Sequence, residues 1–184
     1  MNNGSRSITG SLIYLIPSFA LIFVLLMSSS NCGYTLAQKG NNLPPSIKSI
    51  AIPVMRNDTM EAGLEALLTN ELRRRFAESK WVDLADVEDA DATMVGIITK
   101  FKLSPISFST SDFAVEYRAS MEVSVRLVDR KGVTLWEDHH LAKVREYRSV
   151  IDIFASEANK VEAYRRIARD ISEDIHDRIF DGFQ

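Results

Sequence analysis

Few residues in this 184-residue chain have the types and spacing that chemistry needs. The one cysteine is Cys32, in the stretch LLMSSSNCGYT (25–35), and the three histidines are His139, His140 and His176. His139 and His140 are adjacent in a segment that reads as a strand, where consecutive side chains point to opposite faces, so they are expected not to share a metal. His176 falls late in a helical stretch and reads as a surface residue, mildly favoured there by the helix dipole. Arg73, Arg74 and Arg75 carry charge enough for an anion, but three consecutive helical residues fan through about 200°. An exposed helix face is the plainer reading. There is no glycine-rich phosphate loop and no Gly-x-Ser-x-Gly turn. No catalytic residue and no metal site is expected, and the chain reads as a non-enzyme.

What remains is charge on a sheet. Lys100, Lys102, Arg118 and Arg126 share the parity read as facing away from the core, and Lys143 and Arg145 lie on the neighbouring strand. Several cations on one face suit the phosphates of lipid head groups. Glu116, Glu122 and Glu137 are mixed among them, so cross-strand pairing on a solvated face competes with that reading.

The elements that would position these residues follow from periodicity. Met1–Ser7 carries a single charge, Arg6, and Leu12–Met27 reads LIYLIPSFALIFVLLM before three serines, Asn31 and Cys32. A basic start, a short apolar run and small residues at a break are the layout of a secretory signal. A permanent span needs about 20 apolar residues; this run is shorter and holds Pro17. Residues 1–31 are therefore expected to be a cleaved signal peptide. Removing them takes the formal net charge from −3 to −4, so composition gives no electrostatic case for nucleic acid. A lone cysteine in an exported chain makes no internal disulfide. A buried thiol, a cross-link between chains and an acylated first residue stay open on chemistry alone. Position, directly after the apolar segment, favours the acylated residue. Ser29, Ser30 and Asn31 depart from the usual residues before a lipidated cysteine. Acyl chains contribute about 0.8 kcal/mol per buried methylene, and stable anchoring takes two signals. No cofactor is expected beyond a covalent N-acyl and S-diacylglycerol lipid on Cys32.

Residues 32–46 form a polar tether. Ile47–Val54 reads as a buried strand, and RNDTM as a turn with Asp58 or Thr59 as N-cap and Glu61 completing a capping box. From Met60 to about Ser79, Leu64, Leu67, Leu68, Leu72 and Phe76 make a helical stripe. The short run WVDL, 81–84, then suggests a βαβ crossover. Thr93–Leu103 alternates, with Val95, Ile97, Thr99, Phe101 and Leu103 on one face. Phe113–Val128 alternates for longer, DRKG (129–132) turns the chain, and a parity change along Val133–Tyr147 predicts a bulge. Glu157–Phe180 is a second helix, striped by Tyr164, Ile167, Ala168, Ile171, Ile175 and Ile179 and stopped by Gly182. The expected fold is a two-layer α+β domain over 47–184, with two helices packed on one face of a mixed four- to five-stranded sheet.

In order along the chain stand CGYTL, IKSIAIPVMRNDT, GLEALLTNELRRRF, the alternating strand after ISFSTSDFAVEYRA, GVTLWED and EANKVEAYRRIARDISEDI. Over essentially all of the chain after Cys32 this resembles LptE, the lipopolysaccharide-assembly lipoprotein family. The resemblance implies a lipoprotein anchored at the periplasmic face of the outer membrane; Gly33 after Cys32, with no Asp there, is similar to outer-membrane members of the wider lipoprotein class. It implies the large β-barrel LptD and lipopolysaccharide as partners, a role as plug and assembly aid, and no dealings with nucleic acid. Family members contact lipopolysaccharide through cations before the long strand and before the last helix. Here SFSTSD (107–112) and SEAN (156–159) hold none, which leaves Lys100, Lys102, Arg118 and Arg126 as the candidates. The alternative is an outer-membrane accessory module of a secretion or efflux pore, since such modules share the opening strand–helix pattern.

Overall fold

The computed structural model describes residues 43–109 and 114–181. The leader, Cys32, the tether up to residue 42, Phe113 and Gly182 lie outside the described residues. Eight elements follow in order: β1 Ser49–Ala51, β2 Arg56–Asn57, α1 Leu64–Ala77, β3 Asp83–Leu84, β4 Ala92–Phe108, β5 Ala114–Asp129, β6 Thr134–Arg148 and α2 Ile153–Asp181. One six-stranded sheet runs β3-β1-β4-β5-β6, with β2 also beside β4.

The sheet has six strands rather than four to five because the strand expected over 47–54 ends at Ala51, and Arg56–Asn57, expected to open the turn, forms a further short strand. Pro53 has no N–H to give to a ladder. The segment therefore pairs with β4 twice, through Ile50 opposite Ala92 and, after the break, Arg56 opposite Ile97, both parallel. Between the two pairings the Met55 amide donates to Thr69 Oγ1 at 3.0 Å, which ties the break to α1. β3 lies parallel to β1 with Ser49 opposite Asp83, so β1, α1 and β3 form the expected crossover unit.

The capping box expected from Asp58 and Glu61 does not form. Asp58 pairs with Arg56 at 2.7 Å. Asn57 organises the turn instead, accepting from the Thr59 amide and donating to the Glu61 carbonyl and to Glu65 Oε2. α1 then starts at Leu64, after Gly63 at φ 88°, and buries Leu64, Leu68, Leu72 and Phe76. α2 starts earlier than expected because the Asp152 carboxylate accepts from the Phe154 and Ala155 amides at 2.9 and 3.1 Å. Such caps satisfy donors that a helix leaves orphaned. Its 29 residues run about 43 Å, and Tyr164, Ile167, Ala168, Ile171, Ile175 and Ile179 are all buried as the spacing predicts.

β5 keeps its alternation, burying Ala119, Met121, Val123, Val125 and Leu127. β4 does not keep the expected face. Ala92, Met94, Gly96 and Ile98 are the buried set, so Val95, Ile97 and Thr99 fall on the other side. A register shift between Ile98 and Lys100 then hands the helix side to Phe101 and Leu103, opposite Met121 and Ala119. Apolar residues occupy both parities from Met94 to Ile98, so alternation could not choose between them; the bulge at Thr99 did. On β6 the expected bulge is present: Val123 faces Leu141 while Val125 faces Asp138, leaving His139 and His140 opposite Ser124. The Asp129–Gly132 turn closes with Gly132 at φ 81°, and Asp129 Oδ1 accepts the Lys131 and Val133 amides.

Candidate functional site

Both helices cover the same face of the sheet, and the other face is uncovered by any described element. β4, β5 and β6 build it from residues that alternate with the core. Alternation along β5 sends Glu116, Arg118, Ser120, Glu122, Ser124 and Arg126 outward. Lys100 reaches Glu122 at 3.0 Å, Arg118 reaches Glu146 at 2.7 Å and Arg148 reaches Glu116 at 2.9 Å. The Glu122 carboxyl is held below the usual range, first by the Lys100 hydrogen bond and then by His140. Exposed pairs of this kind add little to stability. They leave a surface of largely paired charges, with Val95, Ile97 and Val144 set among them.

Of the four candidate cations, Lys100 and Arg118 are thus occupied by carboxylates. Lys102 and Arg126 are exposed, and neither has an ion-pair partner among the described residues. All four lie on the open face, as their parity implied. Lys143 and Arg145 do not. They stand opposite the buried Met121 and Ala119, so they point to the helix side, where Lys143 meets Asp174 at 2.6 Å and Arg145 meets Asp170 at 2.5 Å. Arg178 pairs with Asp138 on the same side. These three pairs fasten α2 to β6.

Two histidine expectations are overturned. The bulge turns His139 and His140 to one face, where His139 Nδ1 meets Ser124 Oγ at 3.0 Å and His140 Nδ1 meets Glu122 Oε1 at 3.3 Å. Both remain exposed. Opposite-face geometry holds for a regular strand, and two residues opposing one break that rule. His176 is no surface residue: it is 7% exposed, with ring centroids 5.4 Å from Phe76 and 4.8 Å from Phe180. Its Nε2 lies 3.2 Å from Ser79 Oγ and its Nδ1 3.0 Å from Asp177 Oδ1. The three arginines of α1 diverge, Arg73 to the Ile52 carbonyl, Arg74 to Glu71 and Glu78, Arg75 to Asp177. Among the described residues no group of three or more His, Cys, Asp or Glu is placed to hold a metal, and no helix is long and apolar enough to cross a membrane.

The family model described as LptE, lipopolysaccharide-assembly, matches residues 47–180. The chain belongs to the LptE family. No curated relative matches the chain in sequence. Solved structures with a similar fold include lipoprotein B of Nitrosomonas europaea, at 15% identity and a TM-score of 0.54, covering 77% of this chain and 86% of that one. A protein of Xanthomonas campestris follows at 12% identity and 0.51, covering 74% and 86%. Rare lipoprotein B of Shewanella oneidensis gives 14% and 0.45, covering 73% and 92%.

In this LptE domain two features escaped sequence reasoning. The first is a tyrosine cluster: Tyr117 stacks on Tyr147 at 5.5 Å, and Phe101 meets Tyr164 edge-on at 4.9 Å. Burial, reinforced by Tyr117, pushes the Tyr147 hydroxyl up to about 12. Burial likewise drives Tyr164 well above its ordinary value. The second is an apolar end, where Ile106 and Phe108 of β4 and Ile151, Ile153 and Phe154 before and within α2 are exposed, Phe154 at 89%. The Ser149 amide donating to the Val115 carbonyl brings these segments together. The strings ISF and IDIF carried the signal, but their exposure depends on where β4 stops and α2 begins.

Proposed function

We propose that the chain is an outer-membrane lipoprotein, acylated at Cys32, that plugs the LptD barrel and helps assemble it for lipopolysaccharide transport to the cell surface. The observation that carries this reading is the helix-free face of β4, β5 and β6. Charged groups cover it and largely neutralise one another, which suits a domain lying against the polar lumen of a large barrel. The apolar end formed by Phe108, Ile153 and Phe154 supports it too, because exposed apolar patches on soluble domains mark partner contacts. The protein then acts by occupying and binding rather than by catalysis.

A photo-cross-linking residue at Ser120, on the open face, is expected to capture a large outer-membrane barrel. The same residue at Glu173, exposed on α2, is expected to capture far less. Equal capture from both positions, or none, rejects the plug. For lipopolysaccharide, Lys100, Lys102, Arg118 and Arg126 are the proposed contacts. Lys102 and Arg126 matter most, because no carboxylate among the described residues competes for them. Reversing both charges is expected to weaken binding to immobilised lipopolysaccharide several-fold, and unchanged binding removes these residues from the site.

A further inference from the structure

β4 is paired on one side over its whole length by β5, but on the other side only by β1 and β2. The last backbone bond on that side is from the Asp58 amide to the Ile98 carbonyl at 3.1 Å. From Lys100 onward no described strand lies there. A cleft of about 620 Å³ opens instead between the Asp58–Glu61 turn and Thr99–Leu103.

The bulge decides which backbone groups face that cleft. Ile98 turns its carbonyl outward, Thr99 and Lys100 together oppose Glu122, and the Lys102 carbonyl is reached from β5 by Ser120 Oγ at 3.5 Å. Ladder geometry alternates, so Phe101 and Leu103 present their amides and carbonyls to the cleft. Pro105 is the next outward position, and having no N–H it ends the usable edge. Side chains alternate as well. Lys100 and Lys102 stand on the open face, while Phe101 and Leu103 stand on the helix side beside Met60, which is fully exposed at the mouth of the cleft.

We propose that this edge of β4, from Lys100 to Ser104, accepts an extended segment of a partner polypeptide as an added strand, one that alternates acidic and apolar residues. Backbone bonds to Phe101 and Leu103 would hold the segment. Its apolar side chains pack beside Phe101, Leu103 and Met60, and an acidic one pairs with Lys102. Lys102 selects the charge because it has no carboxylate partner among the described residues, whereas Lys100 is held by Glu122. Strand addition of this kind draws affinity from main-chain bonds and specificity from alternate side chains. The inference is independent of the plug proposal and fails separately from it.

The test uses the full-length chain in detergent micelles and a labelled synthetic hexapeptide alternating Val and Glu. Fluorescence anisotropy is expected to show binding, with slowed hydrogen exchange at the Phe101 and Leu103 amides. Methylating alternate backbone nitrogens of the peptide is expected to abolish binding. Lys102→Glu should weaken the Val–Glu peptide about fivefold, the scale of a cross-strand charge pair turned repulsive, and favour a Val–Lys peptide. No binding, equal binding of the two peptides to the unaltered chain, or slowed exchange along β6 instead overturns the proposal.

Discussion

At the scale of single residues, Gly96 is the described glycine with no room for a side chain. A Cβ there would meet Met55 Sδ at 2.3 Å and Val125 Cγ2 at 3.3 Å. Met55 is 2% exposed, so its flexible thioether has to shift within the core to make room. Gly96→Ala is expected to cost about 1–3 kcal/mol, read as a lower urea midpoint at unchanged slope. Tyr147 offers a titration instead. Its folded-state value is raised to about 12, chiefly by burial, so the folded protein holds this proton longer than the unfolded chain, whose tyrosines ionise near ~10. The stabilisation is complete below the unfolded value and is lost as pH climbs from about 10 towards 12. Ultraviolet titration should show one phenolate forming near the top of that window, and Tyr147→Phe should delete that step.

At the scale of elements, the bulge on β6 sets what each residue of the strand faces. Removing His140 would leave one residue opposite Ser124 and let the register run regularly. Every other pair keeps its register, Leu141 opposite Val123, Asp138 opposite Val125 and Trp136 opposite Leu127, so Trp136 stays in the core it packs against and Asp138 keeps Arg178. In a Trp81→Phe background, Trp136 emission is expected to stay where it is after the deletion; a move to longer wavelength would show that the strand slips in register instead. On α2 the contrast lies between faces. Ile171 is fully buried, and Ile171→Ala should cost about 2–5 kcal/mol, while Glu173→Ala should stay within about 0.5 kcal/mol.

At the scale of the whole molecule, the described domain has two unlike ends. Leu43 and Ile47 are buried where the chain leads into β1, and β1 runs parallel to β4. Ile106 and Phe108 close the far end of that 17-residue strand, some 50 Å away at about 3.3 Å per residue. Mass measurement of the mature N-terminal peptide should find an acylated fragment beginning at Cys32. Cys32→Ser should leave the signal uncleaved and the chain unlipidated. An intact Met1 start in the unaltered protein would reject the anchor.

The sequence by itself determined the α+β class, the stripes of both helices, the alternation of β5, the Asp129–Gly132 turn and the presence of a bulge in β6. Each of these is a local periodicity or a short turn signal, read within a dozen or so residues. Tertiary structure decided what depends on pairing between distant segments. The bulge at Thr99 fixed which side of β4 is buried, and the one opposite Ser124 put both histidines on one face. The pairing of β6 with β5 took Lys143 and Arg145 from the open face to α2, and the meeting of α1 with α2 buried His176 against Phe76. Among the candidate cations, parity placed all four on the open face. Only the cross-strand register showed that Glu122 and Glu146 engage two of them, while Lys102 and Arg126 have no carboxylate partner among the described residues.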